Sequence, residues 1–371
     1  MNKIIDNKKR HLLKNLLFLS PAAYLAACDS TNEQSKISSD KFPKIKLKMV
    51  TSFPKNLPDT DLPAQRLAKK IEQMSLGKIK ITHYAAGELV PAFQVFDAVR
   101  EQVADCAYTA PIYWISKDKA ISFFGCIPGG MTAKEVFLWL KHGKGQELWD
   151  NLYSKYNLKG FPAGNTGTTM GGWYNKEINN LADFQGLKMR IPGLAGEVFA
   201  LSGGTPVLRA GSEIYTSMQT GDIDAVEWVG PYNDRTLGLM EVGDYYYYPG
   251  WHEPGAMLET IVNEEALAAL PDDLQAIVRI AARATNTDML DDFTANNSES
   301  LQILLREFDT EVLPLPEDVL DALYESSQKA IQALVELDPM AAKIAASYFE
   351  FAEKVRTYHE VSERGYLNVR D

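Results

Sequence analysis

Polar and apolar positions divide the chain into three stretches. Residues 1–15 are rich in lysine, residues 16–27 are mostly apolar, and from Asp29 to about Lys41 almost no apolar side chain occurs. Packed structure is expected to begin near Phe42. Ile45-Lys46-Leu47-Lys48-Met49-Val50 alternates at period two, as a strand does, and Leu62, Leu67, Ile71 and Met74 recur at helical spacing. The alternation predicts a strand at Ile79–Tyr84, a helix near 91–102, a short strand at 106–110 and helices over 132–156. Such repetition points to a parallel-rich sheet flanked by helices.

A second group of short strands is expected at 159–163, 172–174, 187–191 and 225–229, with short helices at 195–201 and 213–219. From about Glu264 to Tyr366 the pattern is nearly all helical, with Leu, Ile, Val and Ala on one face and acids, Gln and Lys on the other. The expected fold class is α/β: two lobes, a ligand cleft between them, and long bridging and C-terminal helices. The expected boundaries are lobe I over 42–163, lobe II over 164–262, and a helical return over 263–371.

Lys3, Lys8, Lys9, Arg10 and Lys14 precede the apolar run from Leu16 to Ala27, which is too short and interrupted to span a bilayer and reads as a secretory signal over 1–27. The run ends in Leu25-Ala26-Ala27-Cys28, which resembles a bacterial lipobox. Cys28 is then the lipidated mature N-terminus, and residues 28–41 form a tether. The alternative is an ordinary signal with an incidental cysteine. Lys9-Arg10-His11-Leu12-Leu13-Lys14 resembles a degenerate twin-arginine signal, which leaves the export route open. Asp29 after Cys28 resembles an inner-membrane retention signal, so the expected location is the periplasm, with a lipid anchor in the inner membrane.

The 371 residues are 46% hydrophobic and 23% charged, enough for two packed cores. The net charge of −11 argues against nucleic acid, and an anion would have to be held by a few placed cations. Cys106 and Cys126 could form one disulfide in an oxidising compartment, but they lack metal-ligand spacing and read rather as two buried free thiols. The chain has no GxSxG, HExxH, Walker or GxGxxG motif, and its five histidines are scattered singly.

The informative region is 164–251. Gly164-Asn165-Thr166-Gly167-Thr168-Thr169-Met170-Gly171-Gly172 packs glycines and short polar residues between two strands, as a close backbone approach or a tight crossover requires. In Leu187-Lys188-Met189-Arg190-Ile191-Pro192-Gly193, alternation separates Lys188 and Arg190 from the apolar face. A guanidinium at a strand end can hold a carboxylate through two parallel hydrogen bonds. Glu227 and Trp228 lie in an otherwise apolar segment closed by Gly230-Pro231, and a buried acid needs a partner. If Arg190 holds an anion, Glu227 would repel it unless a cation intervenes or a ligand hydroxyl donates to it. Oxygen donors from Glu227, the Trp228 carbonyl and Thr169 suit Na⁺ or Ca²⁺. The aromatic run Tyr245–Tyr248 reads as a strand packed on both faces.

GNTGTTMGGWYNKEI, LKMRIPGLAGEVFALSGGTPV, DAVEWVGPYND and YYYYPGWHEPG, with TSFPKNLPDTD and APIYWISKD, resemble the solute-binding proteins of TRAP-type transporters over nearly the whole mature chain. The motifs favour the branch that binds 2-oxo acids and lactate. The resemblance implies a periplasmic-binding-protein-like fold and no catalysis. It implies a small monocarboxylate gripped by Arg190, a Na⁺ or Ca²⁺ ion at Glu227 and Trp228, and delivery to a TRAP membrane permease. By match to the family segments, Phe53, Tyr113 and Trp228 are expected as pocket walls, and Asn165 as a further ligand contact. Thr169 stands where the family has a glutamine whose amide reaches the metal, so either the metal site is altered or the ligand differs from a simple 2-oxo acid. The C-terminal helices would either support a homodimer, as in some relatives, or pack back on their own lobe. Two other readings are a periplasmic enzyme with Glu227 as general base, for which no paired acid or activated nucleophile is evident, and a ligand-sensing lipoprotein without transport.

Overall fold

The computed structural model describes residues 44–370. The signal, Cys28 and the tether lie outside the described residues. Two mixed sheets organise the rest. The first has the order β2-β1-β3-β10-β4, from β1 (Ile45–Thr51), β2 (Ile79–Tyr84), β3 (Cys106–Thr109), β4 (Leu158–Asn165) and β10 (Met257–Asn263). The second has the order β11-β9-β5-β8-β6-β7, from β5 (Gly172–Tyr174), β6 (Lys188–Arg190), β7 (Thr205–Val207), β8 (Ala225–Val226), β9 (Tyr245–Tyr248) and β11 (Glu311–Pro314).

The sheets are less parallel than the strand and helix alternation suggests. β1 runs parallel to β2 and β3, but β10 lies antiparallel between β3 and β4, and β5 lies antiparallel between β8 and β9. β5 and β10 are each entered by a direct crossing from the other sheet, so no helix returns the chain to a common strand direction. Two segments therefore fall on the opposite sheet from their expected neighbours. β10, placed by the sequence pattern in 164–262, joins the first sheet, and β11, inside the region read as helical, pairs in parallel with β9 in the second.

The two crossings, 166–171 and 249–256, are laced to each other. Thr166 N donates to Ala256 O at 3.0 Å, Thr169 N to Glu253 O at 3.1 Å, and Gly250 N to Thr169 O at 3.0 Å. A Cβ at Gly250 would stand 2.3 Å from Thr169 O, so only glycine permits this approach.

The 36-residue helix Asp272–Glu307 spans both halves, packing on β4, on the helix Pro58–Met74 and on the helix Pro231–Thr236. Lys70 Nζ pairs with Asp288 at 2.6 Å, Arg66 pairs with Asp292, and Asn297 Oδ1 accepts Tyr232 N at 2.9 Å. Behind the first sheet, Phe124 stacks between Trp139 and Trp149, with ring centroids 5.5 and 5.1 Å apart. The helix Glu317–Leu337 packs on the helix Gly193–Leu201, while Pro339–Val361 returns to the first half, where Tyr348 Oη accepts Met131 N at 2.7 Å. Tyr246 and Tyr247 are both buried, as a strand packed on two faces requires, whereas Tyr248 is exposed. Cys106 and Cys126 are free and buried, and burial raises both thiol pKa values. Among the described residues no helix is long and apolar enough to cross a membrane.

Glu259 on β10 is wholly buried, and Tyr153 Oη donates to its Oε1 at 3.0 Å. Burial lifts its pKa to about 8. The unfolded chain gives up this proton near pH 4, so the native state loses stability as pH climbs from there to about 8. Glu259→Gln is expected to raise the urea midpoint at pH 8 and change it little at pH 5. Its advantage should grow by at most about 1.4 kcal/mol per pH unit, and equal midpoints at both pH values would contradict this account.

Candidate functional site

Strand register brings the site together. β6 pairs in parallel with β8, with Arg190 opposite Val226, so the residue after Val226 leaves the sheet beside Arg190. That residue is Glu227. The expected strand over 225–229 stops at Val226: Glu227 N still donates to Arg190 O at 3.2 Å, but the backbone groups of Val229 and Gly230 are held elsewhere. Asp234 Oδ1 accepts Val229 N at 3.3 Å and Gly230 N at 3.2 Å, and Met170 N donates to Val229 O at 3.1 Å. Asp234 Oδ2 accepts Trp173 Nε1 at 3.1 Å and Tyr246 Oη at 2.8 Å, beneath the stacked Trp173–Tyr246 pair. Burial lifts the Asp234 pKa to about 7, against the pull of these donors. The clamp fixes where Glu227 and Trp228 project.

Leu187, Met189 and Ile191 are buried and Lys188 is exposed, as alternation predicts, but Arg190 is only 1% exposed. Its Nη1 donates to Glu227 Oε1 at 2.5 Å and to Glu227 O at 2.9 Å, and its Nε to Arg209 O at 3.3 Å. The guanidinium carbon lies 4.9 Å from the centre of the Trp228 ring. Glu227 Oε2 meets His252 Nε2 at 3.1 Å, and both residues are buried.

Arg190, Glu227 and Trp228 line a cavity with room for only about 30 Å³, together with Phe53, Ile112 and Tyr113 from the first half. Tyr113 packs against Phe53 and Phe93, with centroids 6.3 and 5.2 Å apart. Burial raises the pKa of its hydroxyl, and the neighbouring Arg190 partly offsets that.

Glu253 also lines the cavity. It is 5% exposed, and its carboxylate has no hydrogen bond or ion pair among the described residues. Burial and the nearby Glu227 push its pKa well up. Ligand atoms of Glu227, His252 and Glu253 lie within 4.8 Å of one another, close enough to share a cation.

Phe53, Tyr113, Arg190, Glu227 and Trp228, all named from the sequence, line this one cavity. Asn165 and Thr169 are not among the lining residues. Asn165 donates to Gly255 O at 3.3 Å and accepts Gly167 N at 2.9 Å, while the Thr169 hydroxyl donates to Glu253 O at 3.3 Å. Both tie the two crossings together, and Thr166 reaches the cavity instead. Sequence reasoning missed Glu253 and treated His252 as an isolated histidine. The available signal was an acid beside Pro254-Gly255 in the segment Trp251-His252-Glu253-Pro254-Gly255 that follows the aromatic run.

Residues 56–337 match the family described as bacterial extracellular solute-binding protein, family 7. A monocarboxylate 2-oxoacid-binding periplasmic protein of Nostoc sp. is 37% identical over 361 residues, covering 97% of this chain and 98% of the relative. A TRAP transporter solute-binding protein from Bordetella bronchiseptica RB50, a mixed-occupancy dimer with copurified calcium and picolinate, superposes with a TM-score of 0.87 at 35% identity, covering 88% of this chain and 97% of that one. Another from Pseudoalteromonas atlantica T6c, with bound sodium and pyruvate, gives a TM-score of 0.85 at 35% identity, covering 88% and 99%. With two α/β halves enclosing an arginine-lined cavity and a match over most of its length, the chain belongs to bacterial extracellular solute-binding protein family 7, as a receptor of the TRAP transporter type.

Proposed function

We propose that the two sheets with their helices are two lobes that close on a small monocarboxylate of the 2-oxo acid class together with a cation, and that the receptor presents this ligand to a TRAP permease without altering it. The observation that carries the reading is a buried guanidinium sharing one small cavity with a buried acid, Glu253, that has no partner of its own. A carboxylate offers Arg190 a second partner beside Glu227 in a site where water cannot screen the pair. That ligand adds negative charge next to two acids, so a cation is needed to relieve the repulsion. The donor set fits an oxygen-loving ion: Glu227 and Glu253 would hold it, with the Trp228 carbonyl as a further donor. Such an ion supplies charge neutralisation and a fixed anchor for ligand oxygens. The relatives crystallised with calcium and picolinate, or with sodium and pyruvate, support this reading.

Arg190→Ala is expected to weaken pyruvate binding at least 100-fold by calorimetry and Arg190→Lys by less, since lysine cannot reproduce the guanidinium fork. Unchanged affinity in Arg190→Ala would defeat the assignment. Calcium or sodium should tighten pyruvate binding in the wild-type chain. Glu253→Gln should reduce that gain about tenfold or more while the protein still melts cooperatively; an undiminished gain would place the ion elsewhere. We also propose anchoring through Cys28. Intact-mass analysis of the membrane-fraction protein should show a diacylglyceryl-modified N-terminal cysteine, and Cys28→Ser should release the protein to the soluble fraction; a soluble, unlipidated wild-type protein would refute the anchor.

A further inference from the structure

Two polar atoms of the cavity residues are not absorbed by carboxylate and cation binding. Thr60, in the first turn of the helix Pro58–Met74, lines the cavity and is 2% exposed, and its Oγ1 has no hydrogen-bond partner among the described residues. Trp228, whose ring centre lies 4.9 Å from the Arg190 guanidinium carbon, is 6% exposed, and its indole Nε1 is likewise unpartnered among the described residues. The other lining hydroxyls are engaged. Thr166 Oγ1 donates to Gly167 O at 2.8 Å and accepts Ala256 N at 3.2 Å, and Tyr113 is coupled to Arg190. The apolar part of the lining is Phe53, Ala110, Ile112, Pro192, Val229, Ala256 and Leu258.

Buried hydroxyl and indole N–H groups nearly always find partners, and leaving one unmet costs roughly 1–3 kcal/mol. A cavity built only for a methyl or ethyl tail would favour valine over threonine, which has the same shape without that cost. A threonine hydroxyl can donate and accept, and within a helix the side chain is divided between two χ1 rotamers, so its oxygen can turn to meet a ligand.

We propose that the Thr60 hydroxyl forms a polar subsite for the end of the ligand remote from its carboxylate. The preferred ligand class is then a short 2-oxo monocarboxylate carrying a hydroxyl on its tail rather than a plain alkyl 2-oxo acid. The proposal rests on the function proposed above. A site arranged to bond a ligand hydroxyl discriminates strongly against the analogue lacking it, because its own polar groups then stay unpaired.

The test compares 3-hydroxypyruvate with 2-oxobutyrate, which differ in a hydroxyl against a methyl at nearly equal size, by calorimetry on the full chain with calcium present. The wild-type chain is expected to bind 3-hydroxypyruvate at least tenfold more tightly. Thr60→Val should abolish that preference while keeping its affinity for 2-oxobutyrate, and Thr60→Ser, which retains the hydroxyl, should keep the preference. Melting curves of both variants guard against misfolding, and if Thr60→Val does not fold, loss of the preference in Thr60→Ser overturns the proposal. Equal binding of the two acids by the wild-type chain, or a preference that survives in Thr60→Val, overturns it as well. Binding of no monocarboxylate at all would instead overturn the capture function, and the subsite with it.

Discussion

A buried ion pair imposes the main constraint on this structure. Arg190 and Glu227 are each about 1% exposed, and taking both charges from water costs several kcal/mol per ion unless their geometry and additional hydrogen bonds compensate. The surroundings supply that compensation. Parallel register sets Glu227 beside Arg190, the Glu227 and Arg209 carbonyls accept further guanidinium protons, the Trp228 ring lies against the cation, and His252 meets the second carboxylate oxygen. Removing either charge would strand the other, which is why the pair is held from so many sides.

The rest of the fold keeps this pair at the edge of a small cavity. Asp234 ends β8 early and fixes the segment that carries Glu227 and Trp228, and the stacked Trp173 and Tyr246 in turn fix Asp234. The two crossings run side by side near the cavity and deliver Thr166 on one segment and Glu253 on the other. The long helix Asp272–Glu307 packs against elements of both halves, so the walls that Phe53 and Trp228 provide share a common support. The site therefore draws on both halves, with Arg190, Glu227 and Trp228 from the second and Phe53, Ile112 and Tyr113 from the first.

Burial decides how the acids near the site behave. Glu227 has a cation and a histidine, Asp234 has four donors, and Glu253 has none among the described residues. Equal side-chain chemistry thus yields an ion-pair partner, a structural clamp and an acid that calls for a cation or a proton. Low local dielectric magnifies each difference.

Much of this was legible in the chain alone. Period-two and helical spacing located β1, β2, β3 and β4 and most helices, because those elements bury one face and must repeat their apolar residues accordingly. Arg190, Glu227, Trp228, Phe53 and Tyr113 were identifiable because a charge or a large aromatic in a short strand or Gly-Pro turn needs a reason to be there, and family resemblance supplied one. Glu253 and Thr60 carry no such local mark: nothing in Trp251-His252-Glu253 or Asp59-Thr60-Asp61 says that both side chains line one cavity. The roles of Asn165 and Thr169 depend on which neighbour is nearer, and that neighbour lies about 85 residues away, in the second crossing. The direction of β10 and β5, the sheet that claims β11 and the end of β8 at Val226 likewise follow from long-range pairing. Local periodicity therefore determined which segments fold and which residue types await partners. Only the tertiary structure decided which partners they receive, because hydrogen bonds, desolvation and charge pairing act through space between segments far apart in sequence.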